Sequence, residues 1–171
     1  MSRDKHGFDR TAVSTEEADK LCSFVKHGEP SEWHSVLKLF NRENGREYTC
    51  GCGLKDDNGV ALEGVRVLYQ FLRAKKVNRY RAKATMFVND NGIDFRVVQI
   101  ENRQPVNKKG GKNHEDWPHL HYGQTVAKLG FDEGESDMSP KQTFDYFNDR
   151  ANIELSPDLN CDFDNPHFEL E

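Results

Sequence analysis

Apolar residues recur at helical spacing in the first part of the chain, alternate in the middle, and return to helical spacing near the end. Ser14-Thr15-Glu16-Glu17 forms a capping box, and Ala18, Leu21, Cys22 and Val25 follow on one helical stripe that Gly28 ends. Pro30 and Ser31 open a second predicted helix, with Trp33, Val36, Leu37 and Phe40 as its buried stripe and Gly45 near its close. Glu47–Leu54 reads as a short strand carrying Cys50 and Cys52, and Asp56-Asp57-Asn58-Gly59 as a turn or helix cap. Beyond it Ala61, Val65, Leu68 and Leu72, flanked by Leu62 and Tyr69, predict the longest helix, over 60–75.

The alternating segment gives the clearest β signal. Tyr80–Val88 and Ile93–Ile100 flank Asn89-Asp90-Asn91-Gly92, and Asn-Gly favours the type I′ hairpin turn. With Asn91 and Gly92 as the loop, Val88 faces Phe95 and Met86 faces Val97, and Ala84, Ala82 and Tyr80 continue that apolar face. The other face then carries Arg79, Arg81 and Lys83, with Arg96 opposite Phe87, because alternate side chains share a face. His119–Leu129 reads as a further strand. Ser139-Pro140-Lys141-Gln142 starts a last helix that buries Phe144, Phe147 and Ala151. From Leu155 the chain reads as an extended tail pinned by Leu159, Phe163 and Phe168.

These elements predict one α+β domain over 1–154, followed by an acidic tail over 155–171. Its antiparallel sheet is built around the 80–100 hairpin and packed by the N-terminal helices, the 60–75 helix and one C-terminal helix. At 171 residues the chain is long enough for one well-buried core. Its composition is polar, 35% hydrophobic and 31% charged, but eleven Phe, five Tyr and two Trp supply large core pieces. No apolar run approaches the ~18 residues that span a bilayer, and no apolar region follows Met1-Ser2-Arg3-Asp4-Lys5-His6 as in a secretory leader. The expected location is therefore cytoplasmic, with no membrane partner, and Cys22, Cys50, Cys52 and Cys161 are expected as reduced thiols or metal ligands.

Net charge is −5, but its distribution is uneven. Residues 64–112 hold twelve Lys or Arg against Asp90, Asp94 and Glu101, whereas 131–171 hold twelve acids against Lys141 and Arg150. A basic middle suits RNA or another polyanion, and an acidic end suits a basic protein partner or competes with the polyanion.

Candidate chemistry concentrates in 112–123, where His114, His119 and His121 lie beside the basic loop Asn107-Lys108-Lys109-Gly110-Gly111. An RNase-like reaction needs a base, an acid and cations for the phosphorane. His119 and His121 fit the base and acid, with His114 as a third option and Lys109, Lys112 or Arg103 on the phosphate. Arg79, Arg81 and Lys83 would hold the RNA backbone, and Trp117 or Tyr122 would stack a base. Alternatively, His119 and His121 on one strand and Cys50 and Cys52 on a facing one would supply a tetrahedral Cys2His2 zinc site. His114-Glu115-Asp116 resembles the HxD part of the 2-oxoglutarate oxygenase iron site, with His167 as distal ligand, over three residues only. His119-Leu120-His121 is similar to the start of a cupin metal motif, but Gln124, Thr125 and Val126 stand where that motif carries Glu.

The leading expectation is a nucleic-acid-directed protein, which as an enzyme would be a histidine-dependent nuclease. The alternative is a non-enzymatic inhibitor or immunity protein that docks a basic partner through its acidic C-terminal third. A zinc cofactor fits either.

Overall fold

The computed structural model describes residues 11–40, 43–74, 80–104, 118–129 and 138–163. Over these residues the chain is a single α+β domain dominated by one mostly antiparallel sheet, with two helices. In chain order the elements are α1 (Thr15–Cys22), β1 (Lys26–Gly28), β2 (His34–Phe40), β3 (Glu43–Lys55), β4 (Ala61–Ala74), β5 (Tyr80–Asp90), β6 (Ile93–Gln104), β7 (His119–Tyr122), β8 (Thr125–Lys128), α2 (Pro140–Ala151) and β9 (Ile153–Leu155). Neighbours in the sheet run β8-β7-β6-β5-β4-β3-β1-β9, and β2 pairs with the first half of β3. The β1–β9 pair is parallel and every other named pair is antiparallel.

The capping box predicted at Ser14–Glu17 forms, and the helix start predicted at Ser139 forms as a second capping box. Ser14 Oγ accepts from Glu17 N at 3.2 Å and Ser139 Oγ from Gln142 N at 3.1 Å, while Glu17 and Gln142 reach back to the cap backbones. α1 is shorter than its apolar stripe predicts. It ends at Ser23, whose hydroxyl donates to Lys20 O, and the Lys26 ammonium donates to Leu21 O and Phe24 O. A lysine can thus satisfy orphan carbonyls at a helix end while its stem is wholly buried. α2 lies on one face of β5 and β6 and buries Phe144, Phe147 and Ala151 as expected.

Two predicted helices are strands. Within the predicted 60–75 helix, Ala61–Ala74 is β4, because Val65, Val67, Tyr69 and Phe71 supply a period-two stripe that faces α2, all of them buried. The i, i+3, i+4 set around Leu68 and Leu72 belongs to both faces of that strand. The segment after Pro30 is β2, which hydrogen-bonds along the edge of thirteen-residue β3 instead of burying a helical stripe. Its Val36 and Leu37 remain 43% and 75% exposed. The predicted strand at 47–54 is the middle of β3, with Asp56–Gly59 turning the chain into β4. The single strand expected over 119–129 is the β7–β8 hairpin. It turns at Gly123, whose φ is +54° and where an added Cβ would come within 2.8 Å of Thr15 Cα, leaving no room for a side chain.

The 80–100 hairpin forms with Asn91 and Gly92 at positive φ, and Val88 pairs with Phe95. Beyond that the expected register slips by one. A bulge leaves Val97 without a cross-strand partner in the β5–β6 ladder, so Met86 pairs with Val98 and Lys83 with Glu101. The slip keeps Ala82, Ala84 and Met86 opposite Asn102, Ile100 and Val98 on the buried face. Phe163 completes the core by stacking on Phe71 at 3.9 Å, and Trp33 closes over it and donates to Asn160 O at 2.7 Å. Phe168 lies outside the described residues.

Candidate nucleic-acid interface

Strand alternation assigns each residue to a face of the sheet, and the cross-strand registers carry that assignment from strand to strand. One row runs Cys50–Tyr69–Ala84–Ile100–Leu120 across β3 to β7, and it belongs to the face covered by α2. The next row, Thr49–Gln70–Lys83–Glu101–His119, belongs to the opposite face. Beside it on that face lie Leu72–Arg81–Arg103 and Leu68–Thr85–Gln99–His121. Phe87, opposite Arg96 and Arg66, extends the face toward the hairpin turn.

Cations, a carboxylate and two imidazoles therefore meet on one surface. Arg103 Nε donates to Glu101 Oε1 at 3.0 Å, and His119 Nε2 lies 3.9 Å from Glu101 Oε2. The His119 and His121 rings meet edge to face with centroids 5.0 Å apart. Thr85 Oγ1 donates to Gln99 Oε1 at 3.2 Å in the same layer. His119 and His121 are 2% and 7% exposed, whereas Arg103 is exposed and Arg81 and Lys83 are half-buried.

The electrostatics follow from this crowding. Burial pulls the Lys83 ammonium below its ordinary range, Glu101 pulls it back up, and Arg81, Arg96 and Arg103 push it further down. Burial pushes the Glu101 carboxyl up. The Arg103 charge and hydrogen bond, with Arg81 and His119, outweigh that and hold it below the usual carboxylate range. The Glu101 carboxylate, paired with Lys83 across the strands, opposes three arginines there.

Not all the expected residues converge. Cys50 and Cys52 lie on the α2 face of β3, while His119 and His121 lie on the other face of β7 with three strands between. Four strand spacings of ~4.8 Å separate the two pairs, so the shared Cys2His2 site does not assemble. Among the described residues no group of three or more His, Cys, Asp or Glu side chains is placed to hold a metal ion. Burial lifts the Cys50 thiol to about 12 and the Cys161 thiol to about 11. Tyr122 faces away from the cations: its hydroxyl donates to Asp19 at 2.8 Å and the Arg150 guanidinium covers its ring. Arg79, Lys109, Lys112, His114, Trp117 and His167 lie outside the described residues.

Glu101, Gln99 and Thr85 escaped the sequence reading. The signal for Glu101 was its period-two relation to Arg103, but a bulge-free hairpin would have set Ile100, not Glu101, against Lys83. His27, to which the sequence reading assigned nothing, lies between Asp57 at 2.8 Å and Glu154 at 3.6 Å. It ties β1 to the β3–β4 turn and to β9.

The fold and this surface define a sheet-dominated α+β domain with a basic sheet face. No protein-family model, curated protein or solved structure matches the chain. Among the described residues, no helix is long and apolar enough to cross a membrane.

Proposed function

We propose that the protein binds nucleic acid through the sheet face opposite α2, with Arg81, Lys83 and Arg103 as the phosphate contacts. The observation that supports this most is the register that sets Lys83 among Arg81, Arg96 and Arg103 with Glu101 as counter-charge. Like charges crowded on a half-buried surface cost stability, and such cost is typical of sites kept for binding. Binding is favoured over cleavage because His119 and His121 are both buried, 2% and 7% exposed, with His119 beside the Glu101 carboxylate and neither imidazole open to a phosphodiester. The test is anisotropy titration of a labelled RNA at several salt concentrations. Arg81→Ala with Lys83→Ala should weaken binding at least tenfold and lower the salt slope by about two. A flat salt response in the wild type sinks the reading. If His119→Gln abolishes RNA cleavage in chelator while the fold persists, the RNase-like version replaces it.

A second reading rests on the other side of the molecule. Asp145, Asp149, Glu154 and Asp158 line one groove of about 570 Å³ beside α2 and β9, which suits an inhibitor-type protein with a basic partner. Asp149→Lys with Glu154→Lys should then abolish binding of an oligolysine peptide. Unchanged binding rejects this reading.

A further inference from the structure

Arg66, on the basic face near the hairpin turn, is held in a way that a loose surface arginine is not. Its guanidinium carbon lies 4.6 Å from the centre of the Phe87 ring, and its NH2 group donates to Asp94 Oδ2. Asp94 is itself held by Asn89 Nδ2 at 2.9 Å. The ring and the carboxylate together hold the guanidinium, while the side chain stays 42% exposed. A planar cation backed by a ring and partly exposed offers a stacking surface for a nucleobase.

Its position relative to the phosphate contacts matters. Phe87 lies four residues from Lys83 and six from Arg81 on the same face of β5, distances of roughly 13 and 20 Å along the strand. A stacking plane at one end of a strand and cations along the rest is the arrangement that takes unpaired bases and their backbone together. A paired base within a duplex keeps both faces in its own stack and offers neither to Arg66. Duplex readout through the major groove takes an inserted helix or free ribbon. Here β5 and β6 are flanked by β4 and β7, and α2 covers the other face.

We infer that the ligand of this face is single-stranded nucleic acid, one base stacking on the Arg66–Phe87 pair while Lys83, Arg81 and Arg103 hold the phosphates. The inference rests on the nucleic-acid reading and narrows it to one strand form.

The experiment compares three probes on the full chain by fluorescence anisotropy or competition: a labelled oligouridine, an RNA duplex of equal strand length, and inorganic polyphosphate, which has charge but no bases. The variants are Arg66→Lys, which keeps the charge and loses the plane, and Phe87→Leu, which keeps an apolar support and loses the ring. Circular dichroism and thermal melts confirm that both fold. The expected result is tighter binding of oligouridine than of duplex. Both variants should lose about fivefold or more for oligouridine and less than twofold for polyphosphate. Equal losses on oligouridine and polyphosphate, no loss on either, or preference for the duplex overturns the single-strand inference while leaving the nucleic-acid reading in place. Wild-type protein that binds none of the three overturns both.

Discussion

Replacing Glu101 with Gln should move stability and nucleic-acid binding in opposite directions. Glutamine keeps the volume and an acceptor for Arg103 but removes the negative charge set among Arg81, Lys83 and Arg103. A hydrogen bond to a charged group contributes ~1.5–3 kcal/mol against ~1 for a neutral one, and Arg103 at 45% exposure takes the lower end through screening. Repulsion among the unopposed cations adds about as much as the ~0.5 kcal/mol lost from the bond, for a total destabilisation of about 1 kcal/mol. A domain of this size should then melt about 2–4 °C lower. For a phosphate ~6 Å away in a water-like dielectric, losing that charge removes ~0.7 kcal/mol of repulsion, about threefold in affinity. The pH dependence carries a sign of its own. The Glu101 carboxyl is held below its ordinary value, so its stabilisation is present above the usual carboxylate range and is lost as pH falls through the folded-state value. The gap between wild type and Glu101→Gln should therefore close in acid. Calorimetry across pH and anisotropy at low salt measure both arms. A variant that melts like the wild type and binds RNA more weakly would refute the electrostatic account.

The mirror substitution, Lys83→Met, should leave thermal stability equal or higher at pH 7 while weakening RNA binding several-fold. Its ammonium is depressed by burial and by three arginines, so the cost is present at neutral pH and is relieved as pH rises toward the ordinary lysine range. The stability advantage of the variant should thus shrink in alkali, which melts between pH 7 and 10 would check. Cys50, raised to about 12, should resist alkylation in the native protein at pH 8 and react on unfolding; rapid native labelling seen by peptide mass spectrometry would contradict its burial. Ser139→Ala, which removes the α2 cap, should cost about 1 kcal/mol in urea unfolding with an unchanged slope, and no loss would mean that the cap is redundant.

Elements governed by local rules were legible in the chain. The Ser14–Glu17 capping box, the Ser139 cap, the α2 stripe of Phe144, Phe147 and Ala151, and the Asn91-Gly92 turn follow from short-range chemistry, and each forms as expected. So did the sharing of one face by Arg81 and Lys83, because period two needs only the knowledge that the segment is a strand. What the sequence left open was which periodicity would win where two coexist. Val65, Val67, Tyr69 and Phe71 alternate through the same residues in which Val65, Leu68 and Leu72 mark a helix. Long neighbours β3 and β5, both ready to pair, decided for the strand. The same competition turned the Trp33–Phe40 stripe into an edge strand on β3.

The site shows this division at finer scale. Histidines and basic residues were visible as residue types, but their meeting depends on a one-residue bulge at Val97, which brings Glu101 opposite Lys83. Strand order then seats β7 beside β6, so His119 lies next to Glu101 and far from Cys50 and Cys52. Local sequence determines which way a side chain points on its own strand. Which strands become neighbours, and in what register, is determined by burial summed over the whole sheet, and only the folded chain carries that sum.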